Sequence, residues 1–310
     1  MKIGGRHFNW FALVVVNLLW AAQYPAYSVA SARMSPAALN FWTLLFATAL
    51  LAPFALVERR RAANPAPCRW RRDLVPFLLL GILGILPPSV LMAWGIARST
   101  ASNASILSLT IPVLMTVLAV VMLGEKLTWF RTAGLVLALA GTLVISWSDV
   151  SSDLVRTRLL VGNAVILVAG AGSAYYNTYS KALLERFSEL EVLVGGYVVG
   201  GVACLAISLV ADKEPLYHVG LYGPRVWLSI CVLGGLSWGI AMVLWMWVLK
   251  RIDASQASVS IYLLSVFGVL LSAVTLGEKI TLPQLLGGAL VFAATWLTTE
   301  VEQRRAKAMA

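Results

Sequence analysis

Charged residues are bunched along this chain, and the bunching leaves ten neutral stretches that each approach the length of a bilayer span. They cover residues 8–32, 34–57, 74–97, 99–124, 132–148, 159–180, 192–211, 226–249, 254–277 and 280–299. A helix needs about 20 apolar residues to cross roughly 30 Å of hydrocarbon, and residues 127–130 can extend the shortest stretch. Only 12% of the residues are charged, against roughly a quarter in soluble domains. We therefore predict an all-α, polytopic membrane protein with ten transmembrane helices. We number the ten stretches in chain order as the first to the tenth span.

Basic residues are distributed unequally between the loops that join these spans. If the N-terminus is cytoplasmic, seventeen of the twenty-four Lys and Arg residues fall on the cytoplasmic side and seven on the other. Basic residues near span ends are retained in the cytoplasm, so we predict a cell inner (plasma) membrane protein with both termini cytoplasmic. The same rule explains the arginine-rich loop 58–73, which we interpret as an orientation signal and not as a nucleic-acid site.

The sequence repeats itself at an offset of 153 residues. Residues 123–128 (LGEKLT) correspond to residues 276–281 (LGEKIT). The match extends to further identical residues: Trp94 and Trp247, Arg98 and Arg251, Gly134 and Gly287, Thr142 and Thr295. Each copy holds five spans, and because five is odd the second copy must enter the membrane upside down. The prediction is two inverted five-helix repeats, residues 1–148 and 149–310, an arrangement typical of transporters.

The repeated segments resemble the EamA family of the drug/metabolite transporter superfamily, whose members carry two copies of a five-helix unit. The strongest resemblance lies in residues 101–144, with Pro112 in mid-span followed by the LGEK motif, and residues 18–24 are similar to the family's first span. The second copy has Ser265 in place of Pro112. The resemblance implies a membrane transporter similar to amino-acid exporters, the aromatic amino-acid type among them.

Side chains that lipid would reject recur on single faces of several spans. In the first span they occur at spacings of three and four residues: Asn17, Trp20, Tyr24 and Tyr27. The sixth span carries Tyr176, Asn177 and Tyr179 at or beside the equivalent positions. We predict that these residues bind substrate together with Trp94, Ser105, Trp247, Ser258 and Tyr262. Close helix packing is the alternative explanation for the small residues and serines.

The middle of the membrane is predicted to be uncharged, because all fourteen carboxylates and all twenty-four basic residues fall at span ends or in loops. A cavity for phosphorylated solutes would be expected to present Lys or Arg. Neutral or zwitterionic molecules suit an aromatic cavity, and so do cations, which gain about 0.5–2 kcal/mol over a ring face. The first hypothesis is therefore a carrier that exports amino acids or similar metabolites by alternating access. The alternative is efflux of aromatic organic cations.

The same pattern bears on energy coupling and on movement. A proton antiporter commonly uses a membrane-embedded acid or histidine, and none is predicted here. We interpret Glu125 and Glu278, at span ends, as turn and helix-terminus residues. Four prolines interrupt spans of the first half and are candidate hinges, so the first half should be the more kinked: Pro25, Pro87, Pro88 and Pro112.

Catalysis is not expected. Both histidines, His7 and His218, lie outside the spans, and no intramembrane aspartate pair, Ser-Lys pair or HExxH motif is present. We therefore predict no enzyme, cofactor or metal site, and only a small-molecule substrate and the lipid bilayer as partners. Substrate identity, coupling ion and self-association stay open.

Overall fold

The computed structural model describes most of the membrane part of the chain: residues 8–61, 70–96, 98, 107–145, 157–211, 220, 222–264, 266–267, 270 and 282–298. Helices and turns account for these ranges, and no strand occurs within them. Among the described residues, four helices are long and apolar enough to cross a membrane: Pro36–Arg61, Leu74–Leu91, Glu189–Val210 and Gly223–Leu249. The all-α membrane fold class is confirmed, and the count of ten spans stays a prediction.

The helices follow the neutral stretches in chain order. Phe8–Ala21 and Gln23–Ser31 lie in the first span, Pro36–Arg61 in the second, and Trp70–Leu79 and Met92–Ile96 at the two ends of the third. Thr110–Leu123, Trp129–Ile145, Thr157–Leu183 and Glu189–Ala211 lie in the fourth to seventh. Gly223–Cys231 and Met242–Leu249 lie in the eighth, Ala254–Ser258 and the 3₁₀-helix Val259–Tyr262 in the ninth, and Leu282–Trp296 in the tenth.

The third and eighth spans both leave α-helical geometry near their middle. The third contains the π-helical segments Leu80–Ile85 and Pro87–Leu91, and the eighth contains Val232–Ala241. These segments overlap under the offset of 153 residues. The eighth span has Ile240 and Ala241 where the third has its two prolines, so proline is not required for this geometry. Helix type alone does not distinguish the two halves here, and the expectation of a more kinked first half stays a prediction.

Spans from the two halves of the chain pack against one another in a regular pattern. The second packs against the seventh, the fourth against the ninth, and the fifth against the tenth. The third contacts the sixth and seventh, and the eighth contacts the first and second. If the first five spans are exchanged with the last five in order, each of the contacts just named corresponds either to itself or to another of them.

Glycines permit close approaches at repeat-equivalent positions. A Cβ atom on Gly81 would overlap the side chain of Val199, and one on Gly234 would lie 2.8 Å from Cδ1 of Phe46. Gly81 corresponds to Gly234, and Phe46 to Val199, at the offset of 153 residues. The contact between the third and seventh spans is thus repeated between the eighth and second.

The helices Trp129–Ile145 and Leu282–Trp296 are in backbone contact. A Cβ atom on Gly141 would lie only 2.7 Å from the carbonyl oxygen of Gly287. Because that obstacle is backbone, no side-chain rotation can relieve the overlap. Small residues serve this purpose between membrane helices, where close packing replaces the hydrophobic effect as the source of association.

We predict that Gly141→Ala destabilises the protein by about 1–3 kcal/mol, the usual cost of overpacking. The measurement is the midpoint of thermal unfolding in detergent. Gly201→Ala is the matched control, because its added Cβ would meet the Cβ of Leu44 at an ordinary 3.7 Å. Equal midpoints for the two variants would contradict a tight interface at Gly141.

Candidate functional site

A buried polar face of the ninth span meets the first and fourth spans. The hydroxyl oxygens of Ser258 and Thr116 lie 2.9 Å apart, and the Asn17 amide donates to the hydroxyl of Ser260 over 3.4 Å. The Tyr262 hydroxyl donates to the carbonyl oxygen of Leu109 over 3.0 Å. The four polar side chains Asn17, Ser258, Ser260 and Tyr262 are at most 2% exposed. Three residues of the predicted site, Asn17, Ser258 and Tyr262, therefore lie in the contacts of the ninth span with the first and fourth spans.

Local backbone geometry explains these contacts. The 3₁₀-helix Val259–Tyr262 follows directly on the α-helix Ala254–Ser258, and its tighter winding changes the direction in which successive side chains point. In the fourth span a turn at Leu109 precedes the helix Thr110–Leu123. Pro112 stands in the first turn of that helix, where its missing N–H costs no hydrogen bond. Leu109 and Tyr262 correspond at the offset of 153 residues, so this hydrogen bond joins equivalent points of the two copies.

Two tryptophan rings form the aromatic part of the core, and an asparagine accepts a hydrogen bond from one of them. The rings of Trp20 and Trp245 pack with centroids 5.1 Å apart. The indole nitrogen of Trp245 donates to the Asn177 side-chain oxygen over 2.7 Å, and the Asn177 amide donates to the Ser173 carbonyl over 2.8 Å. The core therefore draws on the first, fourth, sixth, eighth and ninth spans.

Sequence reasoning missed Trp245 and chose Trp247, which has a counterpart in the repeat. Residues two apart on a helix lie on nearly opposite faces, and the sequence does not show which face is buried. Trp245 is fully buried. Arg251 lies over the ring of Trp247, and Arg98 lies over the ring of Trp94, each at 3.5 Å from the ring centre. These two predicted site residues thus stack on arginines at span ends and are not part of the hydrogen-bonded core.

The other described tyrosines of the predicted site, Tyr27, Tyr176 and Tyr179, have partners outside this core. Tyr27 donates to the Asn40 side-chain oxygen over 3.2 Å, and Tyr179 stacks on Tyr175 with centroids 5.1 Å apart. Tyr176 is 5% exposed, and a Cβ atom added to Gly84 would lie 3.0 Å from its Cα. The structure therefore does not bring all predicted site residues into one cluster.

Several sequence predictions fall outside what the structure describes. Ser105, Ser265 and Glu278 lie outside the described residues, as do the side chains of Tyr24 and Pro25. Pro87 and Pro88 are described, and they meet the sixth span at Gly172, where an added Cβ would lie 2.8 Å from the Cβ of Pro87. No group of three or more metal-binding side chains occurs in the described ranges.

A carboxylate joins the two halves at one end of the bundle. Gly124, with φ of 67°, ends the helix Thr110–Leu123, since glycine adopts this left-handed conformation readily. The following Glu125 accepts hydrogen bonds from the backbone N–H groups of Ala254, at 2.6 Å, and Ser255, at 2.9 Å. It also accepts one from the Ser255 hydroxyl at 2.5 Å. The interpretation of Glu125 as a helix-terminus residue is confirmed, and the helix that it caps belongs to the other half.

Two cations and a second carboxylate complete this group, which we call the Glu125 cluster: Glu125, Arg131, Lys181 and Asp253. The Lys181 amine lies 3.4 Å from Glu125 and 3.7 Å from Asp253. The Arg131 guanidinium lies 3.8 Å from Glu125, pairs with Asp253, and donates to the Ser255 hydroxyl over 3.0 Å. Two acids and two bases thus balance one another where four chain segments meet.

Many transporters place their site between two halves of a helical membrane bundle. The sequence profile of the EamA-like transporter family matches residues 8–147 and 160–300. The chain belongs to this family of membrane transporters.

Individual relatives match along nearly the whole chain. A protein of Streptantibioticus cattleyicolor named "Probable terminal-alkyne amino-acid exporter" is 30% identical, over 93% of this chain and 92% of its own. The uncharacterized transporter YoaV of Bacillus subtilis is 24% identical, over 94% of this chain and 97% of its own. One solved crystal structure has the same fold, with a TM-score of 0.79 at 19% identity, and the match covers 96% of this chain and all of that one.

We predict that Asn177→Leu and Trp245→Phe each destabilise the protein by about 1–2 kcal/mol, because each leaves a buried partner without its hydrogen bond. Thermal unfolding in detergent measures the effect. The double variant should lose less than the sum of the two, since it leaves neither partner unpaired. Strictly additive losses would contradict a hydrogen bond between these side chains.

Proposed function

We propose that the protein exports amino acids or similar small neutral or zwitterionic metabolites by alternating access. The observation that carries the proposal is the neutral character of the core where five spans meet. Among the buried side chains of the described ranges, those of Arg131 and Glu125 are charged, and both belong to the Glu125 cluster at the span ends. The core itself offers hydroxyl and amide groups and indole rings.

A zwitterion presents an ammonium and a carboxylate, and the core holds groups that suit both. The side-chain oxygen of Asn17 is buried and accepts no hydrogen bond from the described residues. An unpaired buried acceptor costs about 1–3 kcal/mol, and a substrate ammonium would satisfy it beside the ring of Trp20. The hydroxyls of Thr116 and Ser258 bond to each other here, and they are the nearby donors for a carboxylate once the two spans separate.

Phosphorylated solutes fit the core poorly. Lys and Arg supply the point-charge and bidentate contacts that hold phosphate, and the polar groups of the described core are all uncharged. The name of the Streptantibioticus cattleyicolor relative, at 30% identity, supports the amino-acid class.

The proposed mechanism rests on two inverted five-helix repeats, residues 1–148 and 149–310. The exchange pattern of the span contacts and the Leu109–Tyr262 hydrogen bond between equivalent residues support it. Two similar halves can exchange conformations and so expose one central site to each side in turn. The distribution of basic residues supports a plasma-membrane location with both termini cytoplasmic.

A second candidate is efflux of aromatic organic cations, favoured by the packed indole rings of Trp20 and Trp245. A cation over a ring face gains about 0.5–2 kcal/mol without needing a carboxylate partner. Resistance to planar cations in a host that lacks its own efflux pumps would support this candidate over the first.

We expect purified protein in liposomes to exchange a labelled neutral amino acid for the same compound on the other side. A panel of aliphatic and aromatic amino acids identifies the best substrate. The N-acetyl and amide derivatives of that substrate should compete poorly, because each lacks one of the two charges. Flux of sugar phosphates without flux of any amino acid would contradict the proposal.

We predict that Trp20→Ala raises the KM for that substrate about 3- to 10-fold, as expected for losing an aromatic contact of about 0.5–1.5 kcal/mol. Trp94→Ala is the matched control, because its ring is 38% exposed at a span end and stacks on Arg98. Initial rates of exchange over a range of substrate concentrations provide the KM. Equal KM values for the two variants would remove Trp20 from the site.

A further inference from the structure

We propose that the Glu125 cluster is the gate at the cytoplasmic end of the transport path, with Glu125 as the positioning residue that holds the gate shut. The inference rests on the proposed alternating-access function. It concerns opening and closing of the path and not the identity of the substrate.

Glu125 holds a helix through its backbone. Its two oxygens accept from the N–H groups of Ala254 and Ser255, which are among the first donors of the ninth span and have no partner within their own helix. A contact with backbone fixes the helix axis itself, whereas a contact with a side chain would allow the helix to shift. Since Glu125 follows the fourth span, these bonds tie the fourth and ninth spans together.

Ion pairs surround the hydrogen bonds between Glu125 and the ninth span, and they form only when four chain segments are in one arrangement. Lys181 lies in the last turn of the helix Thr157–Leu183 and Arg131 in the first turn of Trp129–Ile145. Both face Glu125 and Asp253. Lys181 also donates to the carbonyl of Ile252. The Glu125 side chain is 6% exposed, whereas that of Asp253 is 45% exposed. The cluster therefore lies at the boundary with water, where separated charges can be hydrated when the gate opens.

The cluster continues into the core through a line of polar side chains on the ninth span. Ser255 belongs to both, because its hydroxyl donates to Glu125 and accepts from Arg131. One helical turn further on, Ser258 bonds to Thr116, and Ser260 bonds to Asn17. Holding the start of the ninth span against Glu125 therefore keeps these deeper pairs closed. Release of Glu125 would separate the fourth and ninth spans and open their hydroxyls to cytoplasmic water.

The test follows access of water to Ser258. The three native cysteines, Cys68, Cys204 and Cys231, are replaced by alanine, and Ser258→Cys is added. A membrane-impermeant maleimide is applied to sealed vesicles of each orientation. The reference face is the one from which Lys250→Cys, an exposed position, is labelled.

We expect Glu125→Gln to raise the labelling rate of Ser258→Cys from that face at least about 10-fold. The neutral amide no longer attracts the charged groups of Arg131 and Lys181, and it has only one oxygen to accept hydrogen bonds from the backbone N–H groups. Glu125→Asp, which keeps the charge with a shorter reach, should fall between the parent and the Gln variant. Glu191→Gln is the matched control. Glu191 lies on the same predicted face and caps its own helix through Ser188, so its loss should leave labelling of Ser258→Cys unchanged.

An unchanged labelling rate in a folded Glu125→Gln variant would overturn the proposal, and so would an equal increase in Glu191→Gln. If Glu125→Gln does not fold, Thr116→Cys paired with Ser258→Cys provides a second test, since the native hydroxyls are 2.9 Å apart. Oxidation to the disulfide should stop exchange, and a reductant should restore it. Exchange that continues through the disulfide-linked protein would show that the two spans do not separate, which overturns the gate. Labelling requires no substrate, so a failed amino-acid assay with a positive labelling result would contradict the proposed function alone.

Discussion

Hydrocarbon offers no hydrogen bonds, and this one constraint decides how every polar side chain of the bundle is used. Many satisfy themselves on their own helix by donating to the carbonyl four residues earlier, as Thr142, Thr295 and Ser229 do. Such side chains add polarity without linking helices. Other polar side chains reach across to another span, as Ser258 does to Thr116, Trp245 to Asn177 and Tyr197 to the carbonyl of Trp238. Several of them also bond to their own helix, as Asn17 and Asn177 do. A partner on another span, with or without a local one, thus marks the polar residues that position one helix against another.

Many contacts occur twice, at positions related by the sequence repeat, yet some equivalent positions carry different chemical groups. Trp94 with Arg98 and Trp247 with Arg251 repeat the same cation–π contact at the same distance, as a shared backbone would produce. Along the fourth and ninth spans the copies differ, since Tyr262 donates to Leu109, its own counterpart. This contact joins two equivalent positions, and Tyr262 supplies the donor while the backbone of Leu109 supplies the acceptor. The two copies therefore play different parts in the same contact.

The sequence was sufficient for the fold class and for the repeat, because both depend on where charges interrupt apolar stretches and on identity at a fixed offset. It was not sufficient for contacts that depend on which side of a helix is buried. Trp245 and Trp247 lie two residues apart on one apolar span, and packing decides which of them is fully buried. The partner of Glu125 is about 130 residues away in the chain, and no local pattern reports it. The eighth span contains no proline that would indicate its π-helical geometry. The equivalent segment of the third span was the available sequence signal for it.

The proposed path is charged at its cytoplasmic end and neutral in its middle, and separating two polar groups has a different energetic cost in these two environments. An ion pair in the low-dielectric core would cost several kcal/mol per ion in desolvation if its partner moved away, and a carrier that must open there could not afford it. At the boundary with water an exposed pair is worth about 0.2–1 kcal/mol, and a hydrogen bond to a charged group about 1.5–3 kcal/mol. When the proposed gate opens, water replaces these contacts, so opening costs less there than it would in hydrocarbon. Charge at the end of the proposed path is thus compatible with reversible closure, and the hydrogen bonds of the described core join neutral groups that can separate without exposing an ion to hydrocarbon.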